Sequence, residues 1–300
     1  MSLIVFSFFY NRSKAAHNSI SSLLESAPSD AKVVLVDDGS TDDTLKELQY
    51  FSYDKRVSIV SQHNMGFSKS LRYVIPEFLK ENQYKYLAIH GSGDLCKQDK
   101  FSKQLEYLTK NEDIVALGTG YETVSNRHGN LLRVDSGFVE ASIEDLYQNV
   151  PFTHGTVVYR TDAFVAAGGY DETFKYCQDW NLYFELIKYG RIVRHPCVLY
   201  TKFIFEDGAS FKPSKRLEQL KYRKLVLSRK QSECFYKNKL KEVKALGISE
   251  AYPDSCFIND FKKSRRSLIV KGELELALEW NDFIPGMSKL VLIPLLKTCI

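Results

Sequence analysis

Short apolar runs alternate with longer stretches of helical periodicity through the first 110 residues. The strand-like runs are residues 3–9, 32–37, 57–61 and 86–90. Helical patterns follow them at residues 13–26, 42–51, 67–79 and 100–109. Strands that alternate with helices in this way are typical of an α/β fold, with a parallel sheet covered by helices. Pro76 is expected to end or kink the third helix, because proline lacks the backbone N–H that a helix needs.

The alternation becomes irregular after residues 114–117. Residues 126–130 predict a turn between antiparallel strands, and residues 155–160 predict another strand. Helices are expected at residues 161–167 and 179–189, and from Pro213 onward the chain is mostly helical and basic. The sequence therefore predicts three parts: residues 1–110, a mixed region at 111–211 and a helical extension at 212–300.

Composition and the cysteine pattern indicate a soluble globular protein. Apolar residues make up 44% of the chain and charged residues 26%, which are ordinary values. The apolar start has no basic segment before it and ends at Asn11 and Arg12, too early for a membrane span. We therefore expect a cytoplasmic protein. The six cysteines show no CxxC spacing, which favours free buried thiols over disulfides or a zinc site.

The net charge of +4 is unevenly distributed. Residues 212–300 carry 19 Lys/Arg against 10 Asp/Glu, which leaves 22 against 27 for residues 1–211. One interpretation is a helical extension that rests on an anionic membrane surface. The other is a solvated, basic helix pair that packs on the rest of the chain or on a second subunit. The basic cluster at 262–266 adds to this charge, and the apolar run at 290–296 is too short to span a bilayer. No recognition motif accompanies the charge, so nucleic acid is not an expected partner.

Two carboxylates follow the most apolar strand of the first half. Val33, Val34, Leu35 and Val36 predict a buried parallel strand, and Asp37 and Asp38 stand at its carboxyl end. In open α/β sheets that end of the strands is where ligands bind. Gly39 permits a tight turn, and Ser40 or Thr41 can cap the next helix. The alternative is a capped turn that binds no ligand.

Four segments, in this order, resemble family 2 of the inverting, nucleotide-sugar-dependent glycosyltransferases. They are residues 8–12 (Phe-Phe-Tyr-Asn-Arg), 36–42 (Val-Asp-Asp-Gly-Ser-Thr-Asp), 64–68 (Asn-Met-Gly-Phe-Ser), and 168–171 (Gly-Gly-Tyr-Asp) with 178–180 (Gln-Asp-Trp). The resemblance covers roughly residues 2–211. It implies a GT-A fold, with a nucleotide-sugar-binding half at 1–110 and an acceptor-binding half at 111–211. A dehydrogenase is disfavoured, because no GxGxxG follows a predicted strand.

The resemblance also implies roles on the nucleotide side. Asp38 matches the position whose carboxylate accepts a hydrogen bond from the base, and Asp37 is expected to support the loop. Tyr10 is an aromatic residue that can stack on the base, or alternatively an ordinary tyrosine at the edge of the core. Gly66 opens a helix whose backbone amides are expected to face a phosphate.

The chain departs from the family at the metal motif. The resemblance implies an acidic cluster that binds Mg²⁺ or Mn²⁺ at the diphosphate, but the matching run is Gly91-Ser92-Gly93-Asp94, preceded by His90. Only Asp94 remains as a metal ligand. The alternatives are weak metal use through Asp94, metal-free transfer with charge from His90 or a basic side chain, and a protein that binds a nucleotide without transferring anything.

On the acceptor side, Asp179 matches the position of the family's catalytic base. Inverting transfer needs a base to remove the acceptor hydroxyl's proton. An aspartate at a helix start is otherwise an ordinary cap. Gln178 and Trp180 flank it, and Trp180 either stacks on a sugar or packs in the core. His154 either hydrogen-bonds a sugar hydroxyl or phosphate, or is structural.

The implied function is transfer of one sugar from a nucleotide diphosphate donor to a hydroxyl group of a saccharide or lipid-linked acceptor. Surface or capsular polysaccharide is the implied product, made in the cytoplasm or at the inner face of the membrane. The alternative is a non-catalytic nucleotide-sugar-binding subunit, motivated by Gly91 and Gly93. The oligomeric state stays open.

Overall fold

The computed structural model describes residues 2–80, 84–125, 129–205, 212–257 and Asp260. It divides into two compact units, Met1–Ile204 and Phe205–Ile300. The predicted turn at 126–130 lies partly outside the described residues. The basic cluster at 262–266, the apolar run at 290–296 and Cys299 lie wholly outside them. The predicted division at residues 110 and 111 stays a prediction, although strands from both sides of it share one sheet.

Ten strands within the described ranges form that sheet, in the order β3-β2-β1-β4-β9-β6-β10-β5, with β7 beside β6 and β8 beside β10. The strands are β1 (Leu3–Phe9), β2 (Lys32–Asp38), β3 (Val57–Gln62), β4 (Tyr86–Gly91), β5 (Leu95–Cys96), β6 (Ile114–Ser125), β7 (Leu131–Asp135), β8 (Val139–Glu140), β9 (Val158–Arg160) and β10 (Arg191–Ile204). Strands β1, β2, β3, β4, β6 and β10 all run in one direction. The α/β prediction with a mostly parallel sheet is confirmed.

The helices of the first unit are α1 (Ser13–Ser26), α2 (Thr44–Tyr50), α3 (Phe67–Lys80), α4 (Lys100–Lys110), α5 (Ile143–Leu146), α6 (Thr161–Ala166) and α7 (Gln178–Leu186). Short 3₁₀ turns occupy Phe51–Tyr53 and His154–Thr156. Helix α3 continues past Pro76 to Lys80, so Pro76 does not end the helix, and the alternative, a kink, stays a prediction. Among the described helices, none has both the length and the apolar character that crossing a bilayer requires.

The parallel register brings several predicted site residues to one edge of the sheet. Every residue of β1 is buried, as are Val33 to Asp38 of β2. Phe8 pairs with Val36 on one side and with Gly91 on the other. Because neighbouring parallel strands end together, Tyr10, Asp38 and the residues after Gly91 lie along the same edge.

Strand β10 is long and interrupted near Pro196. Its register against β6 shifts between His195 and Val198 and again before Tyr200. Proline is tolerated inside a sheet at such bulges. Beyond the bulge, Tyr200 pairs with Cys96 and Thr201 with Leu95 of β5, so β10 returns to the edge that carries the site.

The second unit contains helices α8 (Pro213–Leu227), α9 (Glu233–Leu246) and α10 (Ile248–Ala251), with 3₁₀ turns at Ser228–Lys230 and Asp254–Phe257. Its described core includes Leu220, Leu225, Val226 and Val243. Lys221 is buried beside Asp254, with 2.5 Å between Nζ and Oδ1. The prediction of a helical extension is confirmed as far as Phe257.

Four of the cysteines are free: Cys96, Cys177, Cys197 and Cys234. Of these four, Cys96 is buried, Cys177 and Cys197 are partly exposed, and Cys234 is exposed. The prediction of free thiols is confirmed for these four, but their predicted burial holds only for Cys96.

Candidate active site

The end of β1 is tied to the loop after β2 through Asn11, which adopts a left-handed backbone with φ of 51°. Its side-chain oxygen accepts from the Thr41 amide at 2.8 Å, and its own amide donates to Ser40 Oγ at 3.0 Å. Asparagine tolerates this conformation better than most residues. The turn leaves Tyr10 47% exposed, so its ring is accessible to a ligand.

The Asp38 carboxylate is buried and accepts four hydrogen bonds from its own chain. Oδ1 accepts from Gln62 Nε2 at 2.7 Å, from Ser70 Oγ at 2.8 Å and from the Met65 amide at 3.1 Å. Oδ2 accepts from the Gly66 amide at 2.9 Å. The Gly66 N–H therefore points at Asp38, and the expectation that it faces a phosphate is not met in this arrangement. Oδ2 keeps capacity for one further donor.

Asp37 lies at the end of β2, before the loop that it was expected to support. It is 2% exposed, and its two carboxylate oxygens accept from the Ser40 amide at 3.3 and 3.4 Å. Gly39 follows with φ of 72°, and a Cβ placed there would lie 2.5 Å from the Asn64 backbone nitrogen. The loop after β2 is thus packed directly onto the segment that precedes α3.

The glycine-rich loop after β4 is organised by a tyrosine from β10. The Tyr200 hydroxyl accepts from the Gly91 amide at 3.0 Å and donates to Asp94 Oδ2 at 2.8 Å. The Phe203 amide donates to Asp94 Oδ1 at 2.9 Å. Burial raises the pKa of Asp94 to about 6. Gly93 has φ of 99°, and its amide donates to Ser19 Oγ, so that amide is also already used. Ser92 is half-buried in the same loop.

His90 lies beneath this loop and is 1% exposed. Its Nε2 is 3.0 Å from Ser19 Oγ, and its Nδ1 is 3.4 Å from Cys96 Sγ. Burial, with the charge of Lys100 beside it, lowers the pKa of His90 to about 3. A neutral, enclosed imidazole contributes no positive charge at neutral pH, so the suggestion that His90 supplies charge to a diphosphate is wrong.

The described residues do not fit a divalent cation at the predicted Mg²⁺ or Mn²⁺ position. Gly91 and Gly93 offer no side-chain ligand, and both oxygens of Asp94 are bonded to β10. A Cβ on Gly91 would lie 2.3 Å from Asp94 Oδ2, so an acidic side chain there requires that this contact break. Within the described ranges, no three or more His, Cys, Asp or Glu side chains group as a metal would need.

The segment at residues 154 and 155 lies between the nucleotide edge and α7. His154 Nε2 is 2.6 Å from the Tyr170 hydroxyl, and its ring centroid lies 6.0 Å from that of Phe67. Phe67 in turn contacts Phe8 of β1, with centroids 5.8 Å apart. A Cβ on Gly155 would lie 2.0 Å from the Tyr200 hydroxyl. Burial lowers the pKa of His154, and the charge of Asp179 opposes that shift.

Asp179 is half-buried in the first turn of α7. Its Oδ1 accepts from the Trp180 amide at 2.8 Å. The helix follows Cys177, which has a left-handed φ of 60°, a conformation that costs energy for residues with a Cβ. The charge of Asp179 acts on His154 and on the buried hydroxyls of Tyr159, Tyr170 and Tyr183. Asp179 therefore lies within electrostatic range of the polar cluster that contains His154 and these tyrosines.

The residues that flank Asp179 are buried. Trp180 is 4% exposed, and its indole N–H donates to the Leu146 carbonyl at 2.8 Å. Gln178 is 8% exposed. The structure supports packing for Trp180, and its predicted face for sugar stacking is not available.

Tyr200 was not found by inspection of the sequence. Its strand contains Pro196 and a bulge, which obscure the alternation that marks a strand. The stretch of Val198, Leu199 and Tyr200, rich in β-forming residues, is the signal that was present.

Comparison with known proteins identifies the family. The profile described as "Glycosyl transferase family 2" matches residues 4–167, which is more than half of the chain. The chain belongs to glycosyl transferase family 2. A glycosyltransferase of Haemophilus influenzae is 26% identical over 207 residues, covering 62% of this chain and 60% of that protein. Chondroitin synthase of Escherichia coli is 24% identical over 204 residues, covering 68% of this chain but 29% of that protein. The matches thus span less than two thirds of either relative.

Solved structures of glycosyltransferases share the fold of this family 2 chain. S. aureus TarS 1-349 in complex with UDP-GlcNAc has a TM-score of 0.60 at 18% identity, covering 86% of this chain and 75% of that one. The mannosyltransferase PcManGT from Pyrobaculum calidifontis, in complex with GDP-Man and Mn²⁺, has a TM-score of 0.58 at 15% identity, covering 95% and 81%. These similarities confirm the GT-A fold of the chain.

Proposed function

We propose that this family 2 chain transfers one sugar from a nucleotide diphosphate donor to an acceptor hydroxyl, with inversion at the anomeric carbon. The observation that carries the proposal is the half-buried carboxylate of Asp179 in the first turn of α7, within electrostatic range of the His154–Tyr170 pair. Through Phe67 and Phe8, that pair is continuous with β1, the strand that Tyr10 follows. A carboxylate and a nucleotide edge thus border one region of the first unit.

On the donor side, the exposed ring of Tyr10 stacks on the base, a contact worth roughly 1–3 kcal/mol in comparable base–aromatic pairs. Asp38 accepts the ring N–H of the base at Oδ2, the oxygen with one bond from Gly66. Asp37 and Gly66 act by fixing the loops on either side. The loop from Gly91 to Asp94 lies beside the diphosphate.

On the acceptor side, Asp179 removes the proton of the acceptor hydroxyl while its oxygen attacks the anomeric carbon. The bond from that carbon to the diphosphate oxygen breaks in the same step, and the nucleoside diphosphate leaves with the electron pair. A single displacement of this kind inverts the anomeric configuration. Neutral His154, held by Tyr170, orients the acceptor through a hydrogen bond to a sugar hydroxyl.

The substrate class follows from relatives and neighbours. Chondroitin synthase and the amylovoran biosynthesis glycosyltransferase AmsE of Erwinia amylovora are named for polysaccharide synthesis, and the neighbours hold UDP-GlcNAc or GDP-Man. For this chain we propose a UDP- or GDP-sugar donor and a saccharide or lipid-linked saccharide acceptor of a surface or capsular polysaccharide. We place the reaction in the cytoplasm, with the basic second unit at the inner face of the membrane.

The test is Asp179→Asn. Loss of a general base lowers turnover by about 100-fold or more, while the Kd of the donor nucleotide stays within about twofold, because the role proposed for Asp179 is to accept the acceptor's proton and not to bind the base. Transfer rates and nucleotide affinity are measured on the same preparations.

Asp162→Asn is the matched control. Asp162 also stands in the first turn of a helix, and its Oδ1 accepts from the Ala163 amide at 2.7 Å, as Asp179 does from Trp180. Asp162→Asn is expected to leave the transfer rate unchanged. A rate loss confined to Asp179→Asn is then not explained by a weakened helix start. Wild-type turnover in Asp179→Asn excludes the assignment. Nucleotide binding with no transfer by the parent protein, across a panel of donors and acceptors, supports the non-catalytic subunit instead.

A further inference from the structure

Two basic side chains, those of Lys202 and Arg12, belong to elements that border the glycine-rich loop, where the resemblance implies a divalent cation. Lys202 stands between Tyr200 and Phe203, both of which donate hydrogen bonds to Asp94, and Arg12 follows the strand that pairs with β4 up to Gly91. Lys202 belongs to β10, and Arg12 follows β1, so they approach the glycine-rich loop from two separate elements. Both side chains are half-buried.

The position of Lys202 follows from the alternation of β10. Side chains two residues apart project from the same face of a strand. Lys202 is therefore on the face of Tyr200, whose hydroxyl bonds both Gly91 and Asp94. The next residue, Phe203, donates its amide to the same carboxylate. This places the Lys202 ammonium alongside the loop rather than on the opposite side of the sheet.

The position of Arg12 is set by the turn at Asn11. The Arg12 amide donates to Thr44 Oγ1 at 2.7 Å, and its guanidinium Nη1 donates to the Asn11 carbonyl at 3.0 Å. The side chain therefore folds back over the end of β1, which pairs with β4 at Gly91. A guanidinium at this edge presents several N–H donors to phosphate oxygens.

From this arrangement we propose that Lys202 and Arg12 bind the diphosphate of the donor and take the place of the divalent cation. The proposal rests on the proposed function, since it concerns the same donor. When the nucleoside diphosphate leaves, its oxygen gains negative charge, and fixed cations beside it stabilise that charge. Gly91 and Gly93 then serve to let the backbone approach the diphosphate, instead of marking a lost activity.

The first experiment measures binding of UDP and GDP to the unmodified chain by calorimetry, in EDTA and in Mn²⁺. A nucleoside diphosphate that is held by side chains binds in EDTA, and Mn²⁺ changes its Kd by less than about threefold. A nucleoside diphosphate that binds only when Mn²⁺ is present overturns the inference but leaves the proposed function standing. If no nucleotide binds under either condition, the proposed function itself fails.

The second experiment compares Lys202→Met with the parent. Loss of a charge-assisted contact to phosphate raises the Kd of the diphosphate by roughly tenfold or more. The Kd of the corresponding nucleoside, which has no phosphate, stays unchanged. Lys202→Arg keeps the charge and restores most of the diphosphate affinity. An equal loss for nucleoside and diphosphate indicates a structural role and contradicts the inference.

Lys110→Met is the matched control, since Lys110 is an exposed lysine of the same unit that pairs with Glu106 in α4. It is expected to leave both affinities unchanged.

Arg12→Gln provides an independent variant if Lys202→Met does not fold, as judged by its thermal transition. Unchanged diphosphate affinity in folded Lys202→Met and Arg12→Gln proteins excludes both side chains from the diphosphate site.

Discussion

At the scale of single residues, Tyr200 connects the two sides of the site. Its hydroxyl accepts from the Gly91 amide at the end of β4 and donates to Asp94. Its ring packs against Gly155, next to His154. The ring of His90 lies against it as well, with centroids 5.7 Å apart. One side chain thus fixes the loop that borders the diphosphate and the turn that borders the acceptor.

Tyr200→Phe removes only the hydroxyl. The Gly91 amide and Asp94 Oδ2 each lose a buried partner, which costs about 1–3 kcal/mol in the free energy of unfolding. Urea denaturation measures the change. Tyr189→Phe is the control: Tyr189 is 51% exposed and donates to the Ala166 carbonyl, so a loss below about 0.5 kcal/mol is expected. Equal losses in the two variants contradict the role assigned to Tyr200.

Asp94 and His90 make opposite contributions to the pH dependence of stability. Burial raises the pKa of Asp94 to about 6, so between roughly pH 4 and 6 the folded chain holds a proton that the unfolded chain releases. Its contribution to stability is present below pH 4 and is lost as the pH rises to 6. The pKa of His90 is lowered to about 3, so its contribution is present above about pH 6.5 and is lost as the pH falls.

The test compares the free energy of unfolding between pH 5 and 6.5 in Asp94→Asn and His90→Gln. Relative to the parent, stability of Asp94→Asn rises more steeply with pH, and stability of His90→Gln rises less steeply. Each difference is at most about 1 kcal/mol per pH unit. A change of slope with the same sign in both variants contradicts the two assignments.

At the scale of elements, the site depends on loops that touch each other after parallel strands. The loop after β2 meets the segment before α3 at Gly39 and Asn64, and Asp38 holds both sides through its backbone and its carboxylate. Ser68 Oγ, at the start of α3, donates to the Lys175 carbonyl at 3.2 Å, which ties the nucleotide side to the turn before α7. The ends of these elements therefore position the side chains of the site.

Gly39→Ala tests this contact between loops. The new Cβ lies 2.5 Å from the Asn64 nitrogen and forces a left-handed residue to carry a side chain. Gly168→Ala shares the positive φ, at 86°, but has open space around its Cβ, so it isolates the backbone strain of roughly 1 kcal/mol. Gly39→Ala is expected to lose at least about 1 kcal/mol more than Gly168→Ala in thermal or urea unfolding. Equal losses in the free energy of unfolding of the two variants would show that the contact with Asn64 adds nothing to the backbone strain.

At the scale of the whole molecule, charge is distributed between two compact units. The basic excess falls in residues 212–300, which belong to the second unit. Within it, Lys237, Lys241 and Lys244 are exposed and stand at spacings of four and three along α9. Such spacing places them on one face of the helix. Tyr236 and Val243 of the same helix are buried, so α9 has a basic surface and an apolar core side.

The proposed membrane contact is tested by reversal of the charge of Lys237, Lys241 and Lys244 to Glu. Each lysine near an anionic surface contributes about 1 kcal/mol, so the triple variant should lose at least about tenfold in affinity for phosphatidylglycerol vesicles. Co-sedimentation with phosphatidylglycerol and with phosphatidylcholine vesicles measures it. The same reversal at the exposed first-unit residues Lys46, Lys80 and Lys110 is the control. Equal losses in the two triple variants indicate an effect of net charge alone and contradict a contact through α9.

The strands β1 to β4 and the helices between them could be predicted, because their apolar runs are short, complete and separated by clear turns. The candidate residues at their ends were assigned through the resemblance to the glycosyltransferase family, and their roles stay predictions. Strand β10 was not predicted, because Pro196 and the bulge interrupt its pattern. The charge state of His90 escaped prediction, and the sequence left open whether Trp180 stacks on a sugar or packs in the core. Each depends on contacts made in the folded chain, such as those with Lys100 and Leu146.

The sequence alone determined the α/β alternation, the acidic end of β2, the glycines of the metal motif and the basic excess of the C-terminal part. These are local properties, set by side-chain periodicity and by the identity of single residues. The tertiary structure decided which groups meet: Gly66 with Asp38, Tyr200 with Gly91 and Asp94, and His154 with Tyr170. Hydrogen bonding, burial and pKa depend on distances across the fold, which no local pattern of residues specifies.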